Sequence, residues 1–430
     1  MLRTVVPALI VVALVTVACD DSPSAPGGGA RGSSSAPLPA TVRGVPGAGE
    51  TPAYARWTPG LRLTFFSTNA VTQSDPGKMG MRRDPNGDIR DDQGGRWTQT
   101  KPVAGSGGGV GYTVIDVVAS DAGGLVLDQR LYFLPQGARG PAIYTSSSAV
   151  RVPHAGGDFF VHPALLAKVE PVDGGGINVI HELFEREGRK LRALRYTANT
   201  AGYTSRVYDL ESGVLLTDTY VYQASQGSFA GDDRYIREAT VRTSGTHTFV
   251  GARTTSLPWL GGAMPSWVAK VRRLVYRGGM VSRAPGLPDN TAGMTSTYSL
   301  RDVGPTYAIY EVSTVGDAQP GIPQIPTVGT FASGAGSSGG LWIDPASLAK
   351  LAQGDVLDED PTLGARTLVA GTGSLPDGRA VVTITVDSRL QRLDRLYDVR
   401  EGRLLSVTLT EPVPGTNLTR ITRLDLASME

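Results

Sequence analysis

The chain has 430 residues, 41 of them Lys or Arg and 40 Asp or Glu, for a formal net charge of +1. That balance excludes an electrostatic nucleic-acid binder, which needs a basic face and usually a basic total. The length suits two ordinary domains.

Arg3 gives a short positive start, and Val5 to Ala18 is an apolar run, "VVPALIVVALVTVA". A membrane span needs roughly twenty residues; this run has the size of a signal-peptide core. It ends in "TVAC", and Cys19 is the chain's single cysteine. Here the sequence resembles bacterial lipoproteins. Their motif places small or apolar residues, at Thr16, Val17 and Ala18 in this chain, before a Cys that is lipidated and becomes the new N-terminus. Thr16 departs from the commoner Leu. The resemblance covers residues 1–19 and implies an exported protein held on the cell envelope through Cys19, on the periplasmic side of the inner membrane or on the outer membrane. Asp20 and Asp21 resemble the inner-membrane retention signal of enteric bacteria. With no second Cys, the exported part folds without an internal disulfide.

Residues 20–52 are dominated by Gly, Ser, Pro and Ala. Such a segment cannot offset its ordering entropy and is expected to be a flexible tether. From Ala53 the signal is β-strand. "LRLTFF", "GYTVIDVVA", "GLVLDQRLYFL", "LLTDTYVYQ" and "AVVTITV" alternate apolar and polar residues, with turn residues between them. Asp84, Asn86, Asp88 and Asp92 in "DPNGDIRDD" have the oxygen spacing of a calcium loop, but Ile89 stands where Gly is wanted and Gly95 where a bidentate acid is wanted. A solvated hairpin is the plainer expectation. Helical periodicity appears in few places, most clearly in "HPALLAKV" and "DPASLAKL". With no long helices to cover parallel crossovers, the fold class is mainly β, antiparallel and of curved-sheet or half-barrel type.

Those two short helices also echo each other. "FFVHPALLAKV" begins at 159 and "LWIDPASLAKL" at 341, an offset of 341 − 159 = 182 that sets Pro163 against Pro345. "RVYDLESGVLL" (206–216) returns as "RLYDVREGRLL" (395–405), pairing Tyr208, Asp209 and Gly213 with Tyr397, Asp398 and Gly402 at offset 397 − 208 = 189. Three further echoes pair Tyr112 with Tyr298, Trp57 with Trp267, and "YIREATVRTS" with "LTRITRLDLAS". Five echoes in one order mark a duplicated unit, with repeats over 53–253 and 257–430. In the first copy Glu211 and Ser212 suit the centre of a type I turn, and Gly213 the left-handed position that closes a bulged hairpin. Arg400, Glu401 and Gly402 do the same in the second. "YDVREGRLLSVT" also resembles the YD repeats of Rhs-type shell proteins, a likeness that amounts to shared hairpin chemistry.

Motifs for chemistry are sparse. "GAGSSG" (334–339) lacks the βαβ setting of a nucleotide loop and the strand–helix setting of a nucleophile elbow. "SLAK" (347–350) is a formal SxxK, but its repeat partner has Leu165 at the Ser position. "HELFE" lacks the second His of a zinc motif, and His154, His162, His181 and His247 show no ligand spacing. No cofactor and no catalytic constellation are expected. Three readings follow: a non-catalytic binding module or carrier for an apolar or polymeric ligand, similar in outline to lipoprotein-carrier half-barrels; an envelope scaffold that contacts another protein; and a hydrolase with an unrecognised site.

Overall fold

The computed structural model describes residues 57–74, 80–83, 89–90, 105–135, 143–186, 189–199, 202–230, 235–286, 288–316, 327–388, 391–413 and 417–430. Cys19, residues 20–52 and the loop residues Asp84, Asn86, Asp88 and Asp92 lie outside the described residues. Among those described, no helix is long and apolar enough to cross a membrane.

The first half begins with β1 (Leu61–Ser74), the short β2 (Gly80–Arg83) and β3 (Ile89–Arg90), β4 (Gly105–Asp121), β5 (Gly124–Pro135) and β6 (Ile143–Val152). A two-strand ribbon, β7 (Gly156–Gly157) and β8 (Phe160–Val161), precedes helix α1 (Pro163–Leu166). Then come β9 (Val172–Gly174), β10 (Ile177–Arg186), β11 (Arg189–Ala198), β12 (Gly202–Asp209), β13 (Leu215–Ala230) and β14 (Tyr235–Thr254). The second half holds β15 (Arg273–Arg283), β16 (Asn290–Val303), β17 (Tyr307–Gly316) and β18 (Thr327–Gly334), then helix α2 (Pro345–Leu348). It closes with β19 (Val356–Asp360), β20 (Ala365–Ser374), β21 (Ala380–Asp387), β22 (Arg392–Asp398), β23 (Leu404–Pro412) and β24 (Thr419–Met429).

The two halves form two separate antiparallel sheets with the same path. The first runs β6-β5-β4-β1-β14-β13-β12-β11-β10-β9 and the second β18-β17-β16-β15-β24-β23-β22-β21-β20-β19. The β2–β3 ribbon is an addition to the first sheet. Each half has its own core. Leu61, Leu63, Phe65, Phe249, Val207 and Leu215 anchor the first; Leu274, Tyr276, Trp342, Tyr397 and Leu424 anchor the second. The duplicated β architecture is therefore present, and among the described residues neither sheet closes into a barrel.

Bulge positions fix the equivalence of the halves. The β1–β14 register slips at Phe65 opposite Phe249, and the β15–β24 register slips at Tyr276 opposite Leu426. A bulge skips Val118 in β4 and Arg301 in β16. This corrects two of the sequence echoes. Since 301 − 118 = 183, Tyr298 is the counterpart of Ile115, three residues from Tyr112. Since 426 − 249 = 177, "YIREATVRTS" is out of step with "LTRITRLDLAS". The residues "FASG", which lead into the glycine-rich tract, supply the end of β18.

Candidate functional site

The duplicated hairpin residues act in pairs. The Tyr208 hydroxyl donates to Asp158 O at 3.2 Å, and the Tyr397 hydroxyl to Gly340 O at 2.8 Å. Asp209 accepts from the backbone N–H groups of Glu211 and Ser212, and Asp398 from those of Arg400 and Glu401. Gly213 and Gly402 hold φ of +76° and +66°. Their carbonyls accept from Val161 N and Ile343 N at 2.9 and 2.8 Å, tying each hairpin to the strand before its helix. Pro163 and Pro345 open those helices, capped by His162 and Asp344. This is a folding module used twice, with no group left over for chemistry.

The glycine-rich tract is buried. Gly336 donates to Val118 O at 3.0 Å, and a Cβ there would overlap the carbonyls of Val117 and Val118. It is glycine because the tract packs against β4 of the other half. Ser347 donates to its own helix cap, Asp344, at 2.8 Å. His181 is exposed and pairs with Val169 O at 3.1 Å.

Among the described residues the strands bring together a base–hydroxyl pair that no local motif announces. Ser67 Oγ lies 2.8 Å from His247 Nδ1 and 2.8 Å from Thr113 Oγ1. Strand register extends this into a row. Gly111, Ser67, His247, Asp218, Arg206 and Tyr196 are direct neighbours across β4, β1, β14, β13, β12 and β11. Alternation puts the row on the face of Phe65 and Phe249, the inner face of the first sheet. Phe159 and Tyr220 flank His247 at ring distances of 6.1 and 6.0 Å. Burial and then the Arg206 charge push His247 down to about 4, so the imidazole is neutral at physiological pH. Burial raises the Asp218 carboxyl against the pull of Arg206.

Ser67 and His247 stand 180 positions apart, so no local motif joins them. The readable signal is parity alone: His247 alternates with the inward Phe249. In the second sheet the same row reads Met294, Gly278, Leu424, Val407 and Arg395. Only the arginine is retained, so the polar row belongs to the first half.

A second cluster lies where the halves meet. Arg62 binds Asp116 at 2.7 and 3.0 Å and Asp360 at 2.9 Å; Arg253 binds Asp358 at 2.8 and 2.6 Å and Asp360 at 3.3 Å. Arg130 joins Asp116 and lies 3.6 Å from Asp128. Three guanidiniums thus face four carboxylates, 3 − 4 = −1. Burial works to raise Asp116, Asp358 and Asp360, but the arginines outweigh it and hold all three below their ordinary range. Asp128 is the surplus. Burial drives it up to about 6, Arg130 opposes and Asp116 adds to the rise. The adjoining cavity, lined by Arg62, Arg130, Tyr132, Asp360 and Gln391, measures 30 Å³. That holds a water or two, against roughly 300 Å³ for an organic ligand. The cluster joins the halves; it is too tight to take a substrate. A larger groove of 320 Å³, floored by the Gly279–Gly293 pair, is an open shelf on β15 and β16.

No protein-family model and no curated protein matches the chain. One solved structure that it is similar to is a provisionally named AttH from Nitrosomonas europaea, at 9% identity over 84% of this chain and 92% of that one, with a TM-score of 0.13. At that score the likeness defines neither fold nor function.

Proposed function

We propose that this is an exported lipoprotein, acylated at Cys19 and tethered by residues 20–52, whose first half binds or carries an apolar ligand. The observation that carries the ligand reading is the polar row on the inner face of the first sheet. Three polar side chains, Ser67, His247 and Asp218, stand with Arg206 on the inner face where the second sheet has Gly278, Leu424 and Val407. A polar row on a core face costs stability unless something uses it. Beyond it the strands continue: β1 pairs β14 from Ser67 to Ser74, and β13 pairs β14 as far as Ala230. Buried Gly109 and Gly111 on β4 put no side chain over that stretch. An apolar face with few polar groups that fix orientation is the common plan of a small-molecule site.

The test is native mass spectrometry of the chain carrying Cys19→Ala, purified without detergent, followed by solvent extraction. A near-stoichiometric apolar molecule is expected, reduced in a Ser67→Ala variant. A clean apo mass together with failure to bind any added apolar probe would overturn the carrier reading. The anchor is checked by phase partitioning: wild type enters detergent and Cys19→Ala stays in water.

The Ser67–His247 pair favours a second reading, a hydrolase. It ranks lower because Ser67 is 7% exposed and shares its hydroxyl with Thr113, and because Asp218, the carboxylate next in the row, is matched to Arg206 at 3.6 Å. Labelling of Ser67 by a fluorophosphonate would reverse that ranking.

A further inference from the structure

Resting on the carrier reading, we infer that the ligand's polar end is an uncharged hydroxyl, held between the Ser67–Thr113–His247 group and Asn69, and that the site rejects carboxylates and phosphates.

The charge balance of the row supplies the first reason. Its one cation, Arg206, is bound to Asp158 at 3.0 Å and faces Asp218 at 3.6 Å. Two carboxylates therefore match one guanidinium, and no positive charge is left for an anion. His247 stays neutral above about pH 4, so it adds no charge. Among the described side chains, Arg186 also lies on this side, 5.3 Å from the centroid of the Phe249 ring, and donates to Val250 O at 3.4 Å. It sits with the core aromatics. An anion brought to the row would meet carboxylates and surrender its hydration, a cost that a neutral oxygen avoids.

The second reason is an orphan acceptor. Asn69 is two residues beyond Ser67 on β1, so it shares the inner face, about one strand repeat further out. Its cross-strand neighbours are Gly109 and Gly245, neither with a side chain to offer. Its Oδ1 is buried with no hydrogen-bond partner. A buried acceptor wants a donor. An ester or ketone has none to give. A hydroxyl has one proton to donate and two lone pairs to accept with, so it can serve Asn69 and the Ser67–Thr113–His247 group together. Tyr220 and Tyr222, with ring centroids 5.5 Å apart, flank the same outer stretch and suit the apolar body that carries the hydroxyl. The class is an apolar alcohol, long-chain or polycyclic, with no ionised group.

The experiment uses the full chain carrying Cys19→Ala at pH 7.5 and displacement of a fluorescent apolar probe. The competitors are dodecanol, methyl dodecanoate and dodecanoate, which share one chain and differ in the polar end. Dodecanol is expected to displace at a concentration at least 10-fold below dodecanoate, with the ester between them. Asn69→Leu and Ser67→Ala are each expected to shrink the alcohol's advantage to less than 3-fold, with circular dichroism and unfolding midpoint preserved. His247→Phe is a third variant; if it fails to fold, the other two still decide. Dodecanoate binding as tightly as dodecanol, or an alcohol preference untouched in both folded variants, would overturn this inference and leave the carrier reading standing. No binding of the probe or of any competitor would overturn both.

Discussion

At the scale of single residues, Gly213 and Gly402 show how narrowly the duplicated hairpin is specified. Both have positive φ, and a Cβ on either would overlap the carbonyl oxygen of Val161 or Ile343 and press on Pro163 or Pro345. Gly213→Ala or Gly402→Ala therefore adds backbone strain to a steric overlap, together about 2–5 kcal/mol. Gly354 has φ +93° with open space around it, so Gly354→Ala carries strain alone, about 1–2 kcal/mol. Denaturant unfolding of the three variants separates the two effects; equal losses in all three would show that the contact to the strand before the helix does not matter. This module is legible in the sequence because each repeated residue has a local job: Gly turns, Asp accepts turn N–H groups, Tyr reaches a carbonyl. Asn69, Ser67 and His247 are not legible in that way. Their relation exists only once β1, β4 and β14 are in register, and a single strand carries no record of its neighbours.

At the scale of elements, β5 places Asp128 in the joint between the halves, beside Arg130 and within reach of the Ala332 N–H on β18. Its folded pKa of about 6 lies above the ordinary value of 3.8. A raised acid destabilises the fold when ionised. The cost is complete above about pH 6, falls as the pH drops, and is gone below the ordinary value. Asp116, Asp358 and Asp360 act oppositely, since their pKa values are lowered. Their contribution is present above the ordinary carboxylate value and is lost as the pH falls through the folded values. Stability is thus expected to peak at about pH 4–5. Asp128→Asn keeps an acceptor oxygen and removes the charge, so at pH 7 it is expected to stabilise by about 1–3 kcal/mol, with the gain vanishing near pH 4. Chemical denaturation at both values checks this. A variant no more stable than wild type at pH 7 would mean that Asp128 is already compensated. The sequence shows these charges but not their meeting: Arg62 and Asp360 are 298 positions apart, and the alternation that places each on its strand says nothing about which half it faces.

At the scale of the whole molecule, two complete cores are joined by a polar and apolar seam. Val118, Val126 and Ala149 of the first half pack on Tyr307, Ile309 and Ala332 of the second. Thr330 on β18 exchanges hydrogen bonds with the Ala149 backbone on β6, at 2.8 and 3.0 Å. The inner faces have diverged since duplication. The first carries the Ser67–His247 row; the second has buried Tyr310, Ser333 and Trp342, whose polar atoms lack partners. Leu127, Val152 and Phe160 take those places in the first half, by the offsets that the bulges and the paired bridges define. Because each core is self-contained, the fragments 1–256 and 257–430 are expected to fold separately and to recombine on mixing. Desolvating an ion pair roughly cancels its attraction, so Arg253 with Asp358 and Asp360 sets the alignment of the halves more than their affinity. Breaking one side differs, since it leaves the buried Asp358 carboxylate with the Ser256 N–H and hydroxyl but no guanidinium, at about 3–5 kcal/mol. Arg253→Met in the first fragment should accordingly weaken recombination by about 100- to 1,000-fold or more, and Asp358→Leu in the second should restore much of the loss by removing the stranded carboxylate. Titration calorimetry of the four combinations measures this directly. If the double variant binds no better than Arg253→Met alone, the carboxylate is not stranded by the loss of Arg253.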